Sequence, residues 1–411
     1  MAGFESNRPD APPSAPNGPP PSLRRNVYML GTVSLLNDTA SEMIYPLLPI
    51  FLKSVLGVGA SILGIIEGLA ETTAAITKYF SGAISDRLKK RKLLAFCGYA
   101  LSNIARPLVG AAQGVGAVLG LRLSDRLGKG VRTAPRDALL ADSVTAARRG
   151  YAFGVQRAMD HAGAVIGPLL AAGLFALGME NLRTIFYLSA IPGLAAVAVL
   201  LFGVKEIAPS VPAATPSTSA VTEREQGGKL PRQFFWYIFS VGLFALGNST
   251  DAFLLLRAAD LGVSPAMIPL LWSVHHVAKS VFSVPGGMLS DRISRRVVII
   301  AGWVVYAAVY AGFALAGSAL AVWGLFVVYG VYFALTEGVE KALVADLAGT
   351  HLRGTAYGWY HLAVGLAAAP ASILFGVLWA AVGPAFPFFV GAGLAAAAAI
   401  MLSVIPLPKS T

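Results

Sequence analysis

Charge is what this sequence has least of. Lysine, arginine, aspartate and glutamate make up 13% of its 411 residues, where a soluble domain carries about 25%. That shortage excludes an ordinary water-facing surface. The single cysteine, Cys97, excludes a disulfide within the chain and any cysteine metal cluster. The five histidines include the adjacent pair His275 and His276, which splay about 100° apart on a helix, and no His-x3-His spacing occurs. Without a ligand set of that kind, neither a metal, a cofactor nor an enzymatic activity is expected.

Apolar residues are what the chain has in abundance: 56% of it is hydrophobic and the mean hydropathy is +0.67. Turn signals and charge clusters divide it into about twelve apolar segments of ~20 residues, each long enough to cross a ~30 Å hydrocarbon core. They lie near 26–53, 60–84, 93–113, 116–141, 151–177, 184–204, 233–256, 266–290, 297–316, 319–344, 355–382 and 386–405. An all-α membrane protein of twelve spans is the fold this predicts. The net charge of +11 does not point to nucleic acid, because the basic residues gather in alternate loops: Arg24 and Arg25, then Arg87, Lys89, Lys90, Arg91 and Lys92, then Arg148 and Arg149, and later Arg292, Arg295 and Arg296. That is the positive-inside pattern. Both termini are therefore expected in the cytoplasm, in a multi-pass protein of the cell membrane, the inner membrane in a bacterium.

Residues 1–25 read as a disordered cytoplasmic tail and not a signal peptide, since the first 23 hold seven prolines and the apolar stretch that follows is too long. The polar, Pro/Ser/Thr-rich stretch 205–232 reads as a cytoplasmic linker between bundles at 26–204 and 233–405, with a short tail at 406–411. The bundles are a repeat. SGAISDRLKKRK at 81–92 answers GGMLSDRISRRV at 286–297; ALLAD at 138–142 answers ALVAD at 342–346; RGYAFG at 149–154 answers RGTAYG at 353–358. Anchors some sixty residues apart keep nearly the same spacing in both halves.

Six spans, a cytoplasmic loop, six more spans and a duplicated Gly-x-x-x-Asp-Arg resemble the major facilitator superfamily, over about 26–405. The resemblance implies parallel repeats with substrate bound near the midplane between them. It also implies that Gly82, Asp86 and Arg87, with their counterparts Gly287, Asp291 and Arg292, form a gate, the aspartates capping a neighbouring helix N-terminus. Topogenic charge alone would account for the lysines and arginines there. In such a fold the third, sixth, ninth and twelfth spans face lipid. The sixth, ninth and twelfth carry no charge here, and the third carries only Arg106.

Asp38 and Glu42 interrupt the first span, where a charge near the bilayer centre costs about 2.5–3.5 kcal/mol. Asp38 lies about 18 Å along its helix, close to the midplane, with Glu42 one turn further on. A carboxyl poised there can load and release a proton, although a permanent ion pair would also explain it. In the fourth span Arg126, Gly130, Thr133 and Ala134 fit the pattern in which the resemblance links the arginine to proton transfer. Asp38 with Arg126 is the expected couple, with Glu42 and Glu71 as further protonatable sites. Some of Arg122, Arg126, Arg132 and Arg136 must pair with Asp125 and Asp137, since they do not share one face.

Arg136-Asp137 repeats as Glu340-Lys341 with the signs exchanged, which suggests two bridges between the halves, Arg136 with Glu340 and Asp137 with Lys341; pairing within each half is the alternative. Asn37, Arg132, Arg157, Asp160, Asn248, Asp251, His276 and Glu337 are the expected substrate-cavity residues. Gly154, Gly163, Gly167 and Pro168 fit Gly-x8-Gly-x3-Gly-Pro, which resembles the fifth-helix motif of twelve-span drug/proton antiporters; Pro46 and Pro49 after the first-span acids resemble the same branch. Ordinary small-residue packing would produce a similar pattern. The resemblance thus implies a proton-coupled exporter of small molecules, a monomer whose partners are its substrate, protons and the lipid bilayer. The basic residues favour the alternative, a proton-coupled importer of an organic anion or a siderophore-like chelate.

Overall fold

The structure is a computed structural model that describes residues 21–48, 51–52, 56, 60–179, 181–207, 229–249, 251–263 and 267–406. Pro49, most of the expected linker and most of both expected tails lie outside these residues. Among the described residues every regular element is helical. Helix α1 (Pro21–Ile44) begins before the expected Asn26, with Pro21 in the first helical position, where its missing N–H costs nothing and its fixed φ suits the helix. It is followed by α2 (Ala60–Leu88), α3 (Arg91–Leu108), α4 (Val115–Asp142), α5 (Arg149–Ala176) and α6 (Leu182–Gly203).

The expected seventh span is broken. Helix α7 (Arg232–Gly247) stops, and α8 (Ala252–Asp260) begins after Asp251. Gly247, Asn248 and Ser249 are weak helix formers, and the Tyr306 hydroxyl takes the Gly247 carbonyl at 2.9 Å. Then come α9 (Ile268–Arg292), α10 (Arg295–Leu315), α11 (Ala319–Leu347), α12 (Arg353–Val382) and α13 (Phe386–Val404). Among the described residues, seven stretches are long and apolar enough to cross a membrane by length and composition: α3 with its extension to Ala111, α5 with its lead-in from Ala146, α6 and α10 to α13. Helices α1, α2, α4 and α9 hold much of the remaining charge, part of it facing other helices, as at Asp125 and Lys279, and part exposed, as at Glu71 and Arg87.

Helices α1 to α6 pack on one another, as do α7 to α13, and the two groups meet where α5 lies on α9, α2 on α12, and α4 and α5 on α11. The α5 glycines serve two of these interfaces. A Cβ on Gly163 would overlap the Leu35 carbonyl of α1, one on Gly167 would stand 2.6 Å from the Thr39 carbonyl, and one on Gly154 would stand 2.6 Å from the Ser283 carbonyl of α9. Gly163→Val is therefore expected to push α5 off α1 and sharply reduce the monodisperse fraction on size exclusion. Gly173→Val, whose position is open, should behave as wild type.

Candidate functional site

Gly163 and Gly167 seat α5 against the stretch of α1 that carries the buried polar residues. Asn37 is the hub there. Its side-chain oxygen accepts from Arg132 at 2.6 Å, Arg106 at 3.0 Å and Asn103 at 3.2 Å, while its amide donates to Asp38 Oδ1 at 2.9 Å. Arg106, the single charge of the third expected span, turns inward and pairs with Asp125 at 2.8 Å; Arg122 meets the same carboxylate at 3.3 Å. The guanidinium of Arg132 also lies over the Tyr99 ring, 4.3 Å from its centroid.

Asp38 and Arg126 are not brought together. Arg126 pairs with the half-exposed Glu71 at 3.2 Å, and Asp38 takes no ion pair among the described residues. Its nearby positive charge arrives through Asn37. On α4 it is Arg132, six residues or about one and two-thirds turns beyond Arg126, that reaches Asn37 beside Asp38.

The middle level is bridged between the two helix groups. Glu337 of α11 holds Arg157 at 2.9 Å and His161 at 2.9 Å, both on α5. Arg157 also meets Asp160 at 2.9 Å, and Gln156 donates to Ser34 of α1 at 2.8 Å. On the other side, Lys279 lies over the Phe333 ring at 3.5 Å and Asp251 accepts from the Tyr329 hydroxyl at 2.8 Å. The His276 ring lies 5.7 Å from that of His161 and 5.0 Å from that of Trp272. Asn248 is reached by Tyr306 at 3.4 Å. Glu42 lies beside Gly167 with no hydrogen bond or ion pair among the described residues.

Nearer the end that carries the repeated loops, the expected sign exchange is half right. Lys341 meets Asp137 across the groups at 2.8 Å, and His361 joins it at 3.0 Å. Arg136 does not reach Glu340: it folds onto Asp137 at 2.8 Å. Adjacent residues on a helix diverge by about 100°, so one of each pair faces the partner group and the other cannot. Glu340 instead accepts from Trp303 at 2.9 Å and Tyr360 at 2.8 Å.

The loops themselves form two matched clamps. Asp86 accepts from the backbone N–H groups of Gly354 at 3.0 Å and Thr355 at 2.6 Å, in the first turn of α12. Asp291 accepts from Gly150 at 2.9 Å and Tyr151 at 2.7 Å, in the first turn of α5. Each aspartate thus satisfies N–H groups that a helix start leaves free. Beside the first, Asp142 pairs with Arg91 and Arg353; beside the second, Asp346 pairs with Arg295 and Arg149. Arg87 and Arg292, expected in the gate, are exposed, and Arg91 and Arg295 take the inward places. Among the described residues, the hydrogen bonds and ion pairs that join the two groups run from this end to the level of Glu337.

A duplicated clamp on two six-span groups is a family-level signature, and the sequence profile described as Major Facilitator Superfamily matches residues 30–257 and 238–411. The chain belongs to the major facilitator superfamily. It is 37% identical over 391 residues to an uncharacterized MFS-type transporter of Methanocaldococcus jannaschii, covering 93% of this chain and 95% of that one. It is 31% identical over 195 residues to the multidrug resistance protein MdtG of Escherichia coli, covering 46% of this chain and 47% of MdtG. Among solved structures, the proton:xylose symporter XylE aligns with a TM-score of 0.77 at 19% identity, over 95% of this chain and 97% of that one, which shows the fold. As a member of the superfamily the chain is a multi-pass membrane transporter of small molecules and not an enzyme.

The major facilitator frame places the residues that sequence reasoning missed. Asp142, Asp346, Arg149 and Arg353 sit within the repeated ALLAD/ALVAD and RGYAFG/RGTAYG anchors, so their recurrence was the available signal. Arg106 was visible as a lone charge in a lipid-facing span. His161, His361, Trp303 and Tyr360 carried no pattern of their own.

Proposed function

We propose that this transporter is proton-coupled, works by alternating access and exports small molecules, with Asp38 carrying the coupled proton. The observation that carries the reading is the setting of Asp38: a partly exposed carboxyl on the first expected span, held by one neutral amide and without an ion pair among the described residues. Protonating it orphans no arginine directly. It does alter Asn37, which Arg106 and Arg132 both hold, so the proton is felt in α3 and α4. The clamped end is the cytoplasmic end by its positive charge, so the state described here is closed to the cytoplasm. Both termini then lie in the cytoplasm of a monomer in the cell membrane, the inner membrane in a bacterium. Export is supported by the similarity to MdtG over 46% of the chain and by the α5 glycines.

The test is proton movement in proteoliposomes, wild type against Asp38→Asn, with lipophilic cations and small organic anions added in turn. Substrate-driven proton release in wild type, reduced to background in the variant, is expected. An unchanged variant would reduce Asp38 to a packing residue. A second reading, import of an organic anion with protons, is favoured by Lys78 and Lys129. Lys78 lies on α2 and Lys129 on α4, both near Glu71 and Arg126, and neither has a carboxylate within ion-pair distance among the described residues. Proton uptake driven only by anions would select it.

A further inference from the structure

Glu340 is a carboxyl of α11 that the inter-group bridges leave over. It is buried, and among the described residues no cation stands within ion-pair distance of it, since Lys341 is engaged by Asp137. Its neighbours come from four other helices. Trp303 of α10 donates to Oε1 at 2.9 Å, Tyr360 of α12 donates to Oε2 at 2.8 Å, and Tyr237 of α7 donates to the Glu340 backbone carbonyl at 3.1 Å. Arg136 and Asp137 of α4 and His361 of α12 lie around Lys341, and Glu337, one turn back on α11, is held by Arg157 and His161.

A buried carboxylate held only by neutral donors is costly, while the neutral acid is not. The two donors also differ in what they allow. An indole N–H only donates, so Oε1 remains an acceptor in either state; a phenol donates or accepts. With Glu340 ionised, the Tyr360 hydroxyl donates to Oε2. With a proton on Oε2, that proton is donated to the Tyr360 oxygen and the hydroxyl hydrogen turns away. No heavy atom has to move between the two states.

We infer that Glu340 is a second proton-binding site, in the second helix group, and that loading it loosens the Asp137–Lys341 bridge. The inference rests on the proton-coupled reading of the site. The charges of Arg136, Lys341, Asp137 and an ionised Glu340 sum to zero, and Lys78 of α2 lies within electrostatic reach of Lys341 and His361. Protonating Glu340 adds one positive charge to this buried cluster, and admitting water by parting the two groups relieves it. Asp38 and Glu340 thus give each half a carboxyl without an ion pair among the described residues, the second of them beside the Asp137–Lys341 bridge between the groups.

The test uses the full-length protein in nanodiscs without substrate. Infrared difference spectra across pH, for wild type, Glu340→Gln and Asp38→Asn, read protonated carboxyl groups directly. A carboxyl band that vanishes as pH rises, is absent from Glu340→Gln and persists in Asp38→Asn is expected; a band untouched by Glu340→Gln overturns the site. The glutamine keeps the shape and both hydrogen bonds, so loss of fold is not anticipated. Spin labels at Arg148→Cys and His351→Cys, exposed positions on opposite sides of the closed end, in a Cys97→Ala background, read the coupling. Their separation should lengthen as pH falls in wild type and stay long at every pH in Glu340→Gln. An equal pH response in both overturns the coupling. Because no substrate is present, these outcomes are independent of whether Asp38→Asn abolishes proton movement in proteoliposomes.

Discussion

Asp137→Ala is expected to destabilise the folded protein by about 3–5 kcal/mol, the range found when one partner of a buried ion pair is removed. Asp137 is fully buried. It accepts from Arg136 through Nε at 3.0 Å and Nη2 at 2.8 Å, from Lys341 at 2.8 Å and from His361 at 3.0 Å. Removing it leaves two cations facing each other away from water. Denaturant or thermal unfolding in detergent reads the loss, and the second substitution decides its cause. Lys341→Met on the Asp137→Ala background removes one of the stranded cations and should recover part of the stability. A double variant that is worse than Asp137→Ala by the full effect of Lys341→Met alone would show that the bridge is not the source. Arg136 limits the recovery, since it stays buried without its carboxylate.

This cluster also shows how far the sequence was legible. Twelve spans, the repeat and the twin aspartates could be read because hydropathy and duplicated motifs are local properties of the chain. Asp137 and Lys341 could be paired in advance because the repeat exchanges their signs. Arg136 with Glu340 could not, because facing is a matter of helix phase and of the angle at which two groups dock. The same limit hid one partner each of Asp142 and Asp346: Arg91 and Arg295 lie in the aspartate's own group, but Arg353 and Arg149 are brought in by the docked interface. Asp38 with Arg126 failed for a related reason, since the α1–α4 contact falls at Arg132. The break between α7 and α8 was written in Gly247-Asn248-Ser249, inside an apolar run that hydropathy reads as continuous.

Gly287→Val is expected to abolish transport while leaving each helix group folded. A Cβ on Gly287 would overlap the Gly150 carbonyl of α5 and stand 3.2 Å from the Gly154 Cα; on the mirror interface, a Cβ on Gly82 would overlap the Gly354 carbonyl and stand 3.2 Å from the Gly358 Cα. These are contacts between the two groups, so the clash exists only when this end is closed. Overpacking costs about 1–3 kcal/mol, and about 1.4 kcal/mol is a tenfold change in an equilibrium. The ratio of closed to open forms should therefore fall by about 5- to 150-fold. The label pair at Arg148 and His351 reads this as a longer separation, and Gly82→Val should give the same result from the other clamp. Gly317→Val, at a position with nothing near it, should change neither distance nor transport. A Gly287→Val protein that retains the short separation would mean that α5 and α9 can slide to accept the side chain, and the close backbone approach would then be a convenience of packing and not a condition of closing this end.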